Sequence, residues 1–357
     1  MRYTYAMETT APKGRGAALN PTNRFETIAV ERDPEIPGPE RVGTELLRDT
    51  SRSVITRNDS PDVGFEASIN PYRGCEHGCI YCYARPTHEY LGFSAGLDFE
   101  TRILVKEDAA ALLRRELSSP KWVPQALAMS GVTDPYQPVE RKLEITRRCL
   151  AVLAEFRNPV GIITKNELVT RDLDYLQALN EHQAVSVNLS ITTLDGELAR
   201  KMEPRASHPR ERLKAVERLA AAGIPVGVMV APIVPAITDH ETAKVLEAAA
   251  SAGASSAGYV MMRLPGAVAG LFEEWLERNF PERKEKVLNR VRDLRGGRLN
   301  DPRFGSRMRG EGIYAEQIRA TFETFRRRYG LDQPRPELST AAFRRPGQAE
   351  QLGLFGP

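Results

Sequence analysis

The chain has 357 residues, of which 41% are hydrophobic, 27% charged and 7% aromatic, with a formal net charge of +3. This composition is typical of a globular protein and excludes a mostly disordered, collagen-like or membrane-embedded chain. The longest apolar stretches, such as Val226–Ala236, are far shorter than the roughly 20 residues that span a bilayer. No basic segment followed by an apolar one opens the chain, so the sequence predicts a cytoplasmic protein without membrane association.

The predicted elements begin after an N-terminal segment, residues 1–60, that is rich in proline, glycine and charge. That composition indicates an extended, partly disordered arm. Short apolar runs then alternate with segments of helical period. The predicted strands are Ser68–Tyr72, Ala126–Thr133, Val160–Lys165, Val185–Thr192, Val226–Val234 and Ala257–Leu264. The predicted helices are Glu107–Leu117, Val139–Phe156, Arg171–Asn180, Pro209–Ala222, His240–Ala252 and Phe272–Leu294.

Six strand–helix units predict parallel strands joined by helical crossovers. Since a full barrel needs eight units, the sequence favours an α/β fold with a partial (β/α)6 barrel. We expect this barrel over residues 61–295, a basic helical region over 296–345 and a flexible tail over 346–357.

Three of the four cysteines form the cluster Cys75-x3-Cys79-x2-Cys82, in a loop that follows the first predicted strand. Three thiolates can hold three irons of a four-iron cluster and leave the fourth iron open to another ligand. Two other interpretations exist. One is a structural zinc with His77 or His88 as fourth ligand, although the usual second pair of ligands is absent. The other is a chance grouping of free thiols.

This spacing, with Tyr81 directly before the last cysteine, resembles the radical S-adenosylmethionine (SAM) enzymes. The wider segment Asn70–Tyr83 is similar to the branch that contains spore photoproduct lyase and DNA repair photolyase-like proteins. The blocks Gly131–Pro138, Ile163–Asn166, Met202–Arg205 and Val230–Ile233 extend the similarity. The resemblance implies a partial barrel, a [4Fe-4S] cluster held by the three cysteines, and reductive cleavage of SAM to a 5′-deoxyadenosyl radical.

Polar residues follow the predicted strands, at the edge where active sites of barrel folds lie. The resemblance implies that the turn containing Ser130, Gly131, Thr133 and Asp134 contacts the methionyl amine of SAM and that Tyr81 lies near the adenine. It also implies that Lys165, Ser190 and Arg205 contact the carboxylate and ribose. Polar residues at strand ends are also common as caps and turn formers, so these contacts stay expectations.

One position departs from the family pattern. Spore photoproduct lyase has a cysteine near the end of its second strand, whereas residues 128–133 here contain none. Reversal of a thymine dimer is therefore not implied. Cys149 lies on the apolar face of a predicted helix, which favours a core role.

Charge is unevenly distributed, because residues 278–345 carry 18 Lys and Arg against 9 Asp and Glu, a net +9. This asymmetry favours nucleic acid as a binding partner. The aromatic residues of the region either stack on bases or lie in the core: Tyr314, Phe322, Phe325 and Tyr329. We therefore expect a radical SAM enzyme, possessing a lyase-type activity on DNA. The alternatives are action on a small molecule or protein, and a zinc-stabilised nucleic-acid-binding module.

Two further partners are expected. The reaction needs a reductant such as flavodoxin or ferredoxin. The segment Gln351-Leu352-Gly353-Leu354-Phe355 resembles the pentapeptide by which bacterial repair proteins bind the sliding clamp, and its apolar side chains suit a hydrophobic groove.

Overall fold

The structure is a computed structural model that describes residues 11–26, 41–334 and 337–347. Strands and helices alternate along most of this length. The strands are β1 (Glu45–Arg48), β2 (Ile55–Arg57), β3 (Ala67–Ile69), β4 (Tyr72–Arg73), β5 (Arg102–Val105), β6 (Leu127–Met129), β7 (Val160–Thr164), β8 (Val185–Ser190), β9 (Val226–Ile233) and β10 (Ser256–Met261).

Helices follow the strands, as the alternating pattern predicts. The α-helices are α1 (Leu97–Thr101), α2 (Ala109–Ser118), α3 (Glu140–Leu143), α4 (Ile145–Phe156), α5 (Leu173–Asn180), α6 (Gly196–Met202), α7 (Pro209–Ala221), α8 (Thr242–Ser251), α9 (Val268–Asn279), α10 (Lys284–Asp293), α11 (Ser306–Arg309) and α12 (Ile313–Arg328). Short 3-10 helices occupy Arg85–Leu91, Glu167–Asp172, Asp239–Glu241 and Pro281–Arg283.

Seven strands form the main sheet, in the order β10-β9-β8-β7-β6-β3-β2. All neighbours are parallel except β2, which pairs antiparallel with β3 at one edge. The six parallel strands are the six that the sequence predicts. Within the described residues the sheet is open, with β10 and β2 as its edges, so the partial barrel is confirmed.

A continuous apolar core explains why these strands lie in the middle of the molecule. Strands β7 to β9 are rich in valine, isoleucine and leucine, which suits parallel strands covered by helices. Leu150, Leu153 and Phe156 of α4 are buried against them. Apolar burial of this extent is the main favourable contribution to the fold.

The predicted helix Val139–Phe156 is divided in the structure. Glu144 has a positive φ of 51° and separates α3 from α4. The cause is Glu140, whose buried carboxylate accepts hydrogen bonds from the backbone N–H of Thr146 at 3.0 Å and of Arg147 at 3.3 Å. This carboxylate caps α4, and the chain must turn to bring it there. Similarly, Pro281 follows the end of α9 and divides the predicted helix Phe272–Leu294.

The N-terminal arm is packed on the barrel wherever the structure describes it, rather than extended. Strand β1 pairs with β5 in a small second sheet, and β2 joins the main sheet. The backbone N–H groups of Gly16 and Ala17 both donate to the buried carboxylate of Glu100 at 2.9 Å. These buried hydrogen bonds fix residues 11–26, although their composition suggested disorder.

The C-terminal region packs around β10. Helix α12 lies against α8, and the segment 303–309, which we call the bridging segment, connects the two edges of the main sheet. Asp62, in the β2–β3 connection, accepts from the backbone N–H of Gly305 at 2.7 Å and pairs with Arg307 at 2.5 Å. Arg309 donates to the carbonyl of Tyr259 in β10 at 2.9 Å. The predicted clamp-binding segment 351–355 lies outside the described residues.

Candidate functional site

The cysteine loop, residues 74–82, follows β4 at the carboxyl end of the first barrel strand. Cys75 and Cys79 are buried and Cys82 is half-buried, and none forms a disulfide. Burial raises the pKa of all three thiols. Backbone N–H groups of Ala84 and Arg85 act against this rise at Cys82. A bound metal deprotonates a thiol outright, so this cluster of sulfurs suits a metal and would otherwise stay protonated.

Two glycines let the loop fold tightly. Gly74 and Gly78 have φ values of 83° and 66°, which residues with a side chain rarely adopt. A Cβ on Gly78 would lie 2.7 Å from Oε2 of Glu100, and a Cβ on Gly16 would lie 1.9 Å from the carbonyl oxygen of Gly78. The arm and the loop therefore meet backbone to backbone.

Gln137 holds the start of the loop. Its side chain is fully buried, accepts from the backbone N–H of Glu76 at 2.9 Å and donates to the carbonyl of Gly74 at 3.2 Å. These two hydrogen bonds flank Cys75 on both sides. Gln137 belongs to the block Gly131–Pro138, which resembles the family, but the sequence alone assigned no role to this side chain.

A buried ion pair holds the other part of the loop. Arg85 pairs with Glu100 at 2.5 Å and donates from Nε to the carbonyl of Cys79 at 3.0 Å. It also donates to the carbonyl of Gly96 at 2.9 Å. Because both charges are fully buried, each depends on the other for compensation. The loop is thus fixed by contacts from residues that flank it and from the arm.

A second buried network surrounds Glu203, which follows α6. Its carboxylate accepts from the hydroxyls of Tyr81 and Thr192, and it pairs with Lys165 at 3.1 Å and with Arg212. Burial raises the pKa of Glu203, but the charges of Arg212 and Lys165 outweigh this effect and hold the pKa well below its usual range. Glu203 is therefore ionised in the folded protein and orients Tyr81 and Lys165.

Asp134 links the ends of two strands. It accepts from the hydroxyl of Thr164 at 2.7 Å and from the backbone N–H of Lys165 at 2.8 Å, and it lies 3.4 Å from the ring of His77. Burial alone raises the pKa of Asp134, yet His77 and these hydrogen bonds lower it overall. The carboxylate ties the β6 and β7 ends to the cysteine loop.

The remaining predicted residues fall into two groups. Ser130 and Gly131 form the turn after β6, where Ser130 has a φ of 96° and a Cβ on Gly131 would lie 2.8 Å from the hydroxyl oxygen of Ser68. Thr133 donates to the carbonyl of Tyr72 at 2.8 Å and fixes the same turn. Backbone held in a sparsely populated region by its surroundings is frequent at functional sites.

Ser190 and Arg205 lie in different surroundings. Ser190 ends β8, where its carbonyl accepts from Arg212 at 2.8 Å. Arg205 instead faces the cysteine loop and pairs with Glu76 at 2.8 Å. The structure therefore joins Tyr81, Lys165 and Ser190 through one network and places Arg205 in another.

Sequence reasoning missed Gln137, Arg85, Glu100 and Arg212. Charged residues in helical segments are usually solvated, so nothing in the local pattern indicated that Arg212 or Arg85 is buried. The separation of Arg85 from Glu100 by 15 positions gives no motif either. Only the fold brings these partners together.

The basic C-terminal region is not a free patch of charge, contrary to one interpretation of its composition. Phe322 is buried, and Tyr314, Phe325 and Tyr329 are half-buried and pack against the core, so these rings contribute to the packing of the fold. Some of its arginines also have partners within the protein. Arg295 is buried and donates to the carbonyl of Met262 at 2.7 Å, and Arg303 pairs with Asp301 at 2.7 Å.

Cys149 lies in the core, as its place on an apolar helix face predicts. It is fully buried in α4, and burial raises its pKa to about 12. No group of three or more His, Cys, Asp or Glu side chains in the described part of the chain converges on the position of a single metal ion. A four-iron cluster makes a different demand, since each thiolate binds its own iron. No helix of the described residues is long and apolar enough to cross a bilayer.

Comparison with known proteins shows to which superfamily the chain belongs. The family model of the radical SAM superfamily matches residues 69–249, about half of the chain. The chain belongs to this superfamily, whose members use a [4Fe-4S] cluster and SAM and require a reductant. It is therefore a radical SAM enzyme, and the zinc-module interpretation is set aside.

Particular relatives are known as well. An uncharacterised protein of Mycobacterium tuberculosis is 36% identical over 279 residues, covering 73% of this chain and 80% of that protein. An uncharacterised protein of Methanocaldococcus jannaschii is 27% identical and covers 69% of this chain and 88% of that protein. Among solved structures, spore photoproduct lyase complexed with dinucleoside spore photoproduct superposes with a TM-score of 0.56 at 17% identity, over 80% of this chain and 79% of that chain. This last likeness concerns the fold.

Proposed function

We propose that Cys75, Cys79 and Cys82 each bind one iron of the cluster and that SAM occupies the fourth. The observation that carries this proposal is the buried cysteine loop at the carboxyl end of the first barrel strand, with Gln137 and Arg85 fixing its backbone. When bound, the cluster and SAM supply a 5′-deoxyadenosyl radical that abstracts hydrogen from the substrate. The fold supplies position and exclusion of solvent.

Around the loop, the predicted residues take separate roles toward SAM. Tyr81 and Lys165, oriented by Glu203, face the adenosyl and carboxylate groups together with Ser190. Ser130 and Gly131 present the turn toward the amine, while Thr133 and Asp134 hold that turn. Arg205 acts on the other side of the loop through its ion pair with Glu76. A half-buried ammonium such as that of Lys165 is well suited to a carboxylate.

The substrate in this proposal is nucleic acid, and the reaction is a lyase-type step in DNA repair. Two observations support it: the shared fold with spore photoproduct lyase, solved with a dinucleoside lesion, and the sequence blocks that resemble that branch. Because residues 128–133 contain no cysteine, the hydrogen donor of this enzyme differs from the one in spore photoproduct lyase. A lesion would have to be extruded from a duplex to reach the barrel mouth.

Action on a small molecule or a protein is the second candidate. The ion pairs of Arg303 with Asp301 and of Arg307 with Asp62 favour it, since they neutralise part of the charge that would attract a phosphate backbone. Flavodoxin or ferredoxin is the reductant we propose for either substrate.

Anaerobic reconstitution tests the proposal. The wild type is expected to bind about four irons and to release 5′-deoxyadenosine after reduction with dithionite. The triple variant with serine at Cys75, Cys79 and Cys82 is expected to bind none, whereas C149S is the matched control and should retain iron. An unchanged iron content in the triple variant would overturn the assignment of these ligands.

Turnover with damaged DNA separates the two candidate substrates. Release of 5′-deoxyadenosine should rise on addition of ultraviolet-irradiated DNA and not on addition of intact DNA. If neither DNA changes the rate while cluster and SAM cleavage are intact, the enzyme acts on another class of substrate.

A further inference from the structure

At the mouth of the barrel, Arg263 follows the last strand, β10. Met262 and Leu264 on either side of it are buried, so the backbone is anchored while the side chain reaches the rim. Its guanidinium lies over the ring of Tyr83, 4.8 Å from the ring centre. Tyr83 directly follows Cys82 and is 47% exposed. Arg263 therefore lies at the boundary between the cysteine loop and solvent.

Arg263 differs from its neighbouring arginines because no described residue neutralises it. Arg307 pairs with Asp62 at 2.5 Å and Arg309 donates to Tyr259, whereas Arg263 has no ion pair or hydrogen bond with the described residues. A half-buried cation without a partner is unfavourable, and the free energy is recovered when an anion binds.

The electrostatic surroundings strengthen this preference. Burial lowers the pKa of Arg263, the hydroxyl of Tyr83 acts in the opposite direction, and the charge of Arg307 lowers the pKa again. Asp62 is paired with Arg307, which leaves Arg263 without a carboxylate partner of its own among the described residues. Arg307 in turn lies over Phe304, 4.5 Å from a ring that is 59% exposed. Two exposed aromatic rings in this region, those of Tyr83 and Phe304, each lie against a guanidinium group, that of Arg263 or of Arg307.

We propose that Arg263, supported by the ring of Tyr83, binds a phosphodiester oxygen of the nucleic-acid substrate at the barrel mouth. This inference rests on the proposed function. An arginine donates two parallel hydrogen bonds to a phosphate, and exposed rings next to such a site can stack on a base.

The position distinguishes this anion from the carboxylate of SAM. Tyr81 is buried and Lys165 is half-buried beside Glu203, inside the barrel, where a small cofactor fits. Arg263 and Tyr83 instead lie at the rim. When a nucleotide is extruded into a site, its flanking phosphates stay outside, and the rim is where they would rest.

Salt-dependent binding of a fluorescent single-stranded oligothymidylate tests the proposal. The variant R263Q is expected to bind about tenfold more weakly than the wild type. Its slope of log affinity against log salt should fall by about 0.7, the value for one phosphate contact on single strands. R263K keeps the charge, so it should retain the slope while losing affinity with the loss of the planar contact.

The matched control is R327Q, which removes the same charge from an exposed position on α12. It should leave both affinity and slope unchanged. Equal behaviour of R263Q and R327Q would overturn the subsite while leaving action on nucleic acid intact. Loss of SAM binding in R263Q, with oligonucleotide binding preserved, would instead assign Arg263 to the cofactor. A wild type that binds no oligonucleotide would contradict the proposed substrate class, and the subsite with it.

Discussion

At the scale of single residues, Gln137 shows how a side chain that takes no part in chemistry can define a reactive loop. Its amide accepts from the backbone N–H of Glu76, after Cys75, and donates to the backbone carbonyl of Gly74, before Cys75. Neither group has access to water, so each needs a partner inside the protein. The Gln137 side chain is thus a positioning element for the first sulfur.

Replacement of Gln137 by alanine should loosen the loop. We expect a loss of about 2 kcal/mol in the free energy of unfolding, because two buried hydrogen bonds are removed. Iron should also be lost faster to a chelator under anaerobic conditions, which is a readout that separates positioning from general stability. Gln177→Ala, at an exposed position on α5, is the control and should change neither quantity. Iron retention equal to that of the wild type would show that the loop does not depend on Gln137.

Glu203 gives a prediction of pH dependence. Its pKa is lower in the folded chain than the value of about 4.3 in an unfolded one. The ionised carboxylate of Glu203 therefore stabilises the fold fully above pH about 5, and this stabilisation is lost as the pH falls further. The metal-free wild type should therefore lose unfolding free energy more steeply below pH about 4 than E203Q does.

At neutral pH the same variant should be destabilised by about 3 kcal/mol, since removal of the carboxylate charge leaves Arg212 and Lys165 uncompensated. Urea unfolding at a series of pH values measures both effects. E217Q, an exposed glutamate on α7, should follow the wild type throughout. Parallel curves for E203Q and the wild type would contradict the proposed charge state.

At the scale of elements, the N-terminal arm and the cysteine loop form one unit. The backbone of Gly16 approaches Gly78 so closely that even a methyl group has no room. Overpacking of this kind usually forces the weaker partner to move. The arm, held by few elements, is the weaker partner.

G16A should consequently detach residues 11–20 from the loop. Limited proteolysis should cleave the arm faster, and the reconstituted cluster should be lost faster in air. G43A is the matched control, because a methyl group at Gly43 meets open space. If both variants resist protease equally, the arm does not depend on this contact.

Local sequence patterns predicted some boundaries of the elements and not others. Strand β7 begins at the predicted residue, because its apolar run is bounded by Pro159 and by polar residues after Thr164. The division of α3 from α4 was not predictable, since it depends on where the carboxylate of Glu140 lies in three dimensions. The short helix α6 was missed as well, because it begins with a glycine and has too few turns to show a period.

The candidate site likewise has residues that a local motif predicts and residues that only the fold brings together. The cysteine spacing is local and specific, so the sequence alone predicted the loop and its place after the first strand. The groups that hold it, such as Arg85 with Glu100 and Glu203 with Arg212, are paired only by the fold. Local patterns carry no information on such partners, and charged residues are normally exposed.

At the scale of the whole molecule, the open sheet is connected across its two edges by the bridging segment. Asp62 contributes two contacts there, one to Gly305 and one to Arg307. D62N should weaken both and increase hydrogen exchange of residues 303–309 by roughly tenfold, with little change in global unfolding, since local opening draws on few contacts.

D59N is the control for this effect, because Asp59 is exposed in the same connection. Exchange that remains slow in D62N would show that other contacts hold the bridging segment. Faster exchange throughout the barrel, rather than in this segment alone, would mean that the contacts of Asp62 stabilise the whole fold and not only the bridging segment.

The pair between Asp62 and Arg307 joins residues 245 positions apart. Such a contact forms only after the ribosome has completed nearly all of the chain, and contacts of this range are slow to form. Until then β2 and β10 lack this link, so the two edges of the open sheet are held only by their own strand neighbours. The order of synthesis therefore places this link among the last long-range contacts that the barrel can form.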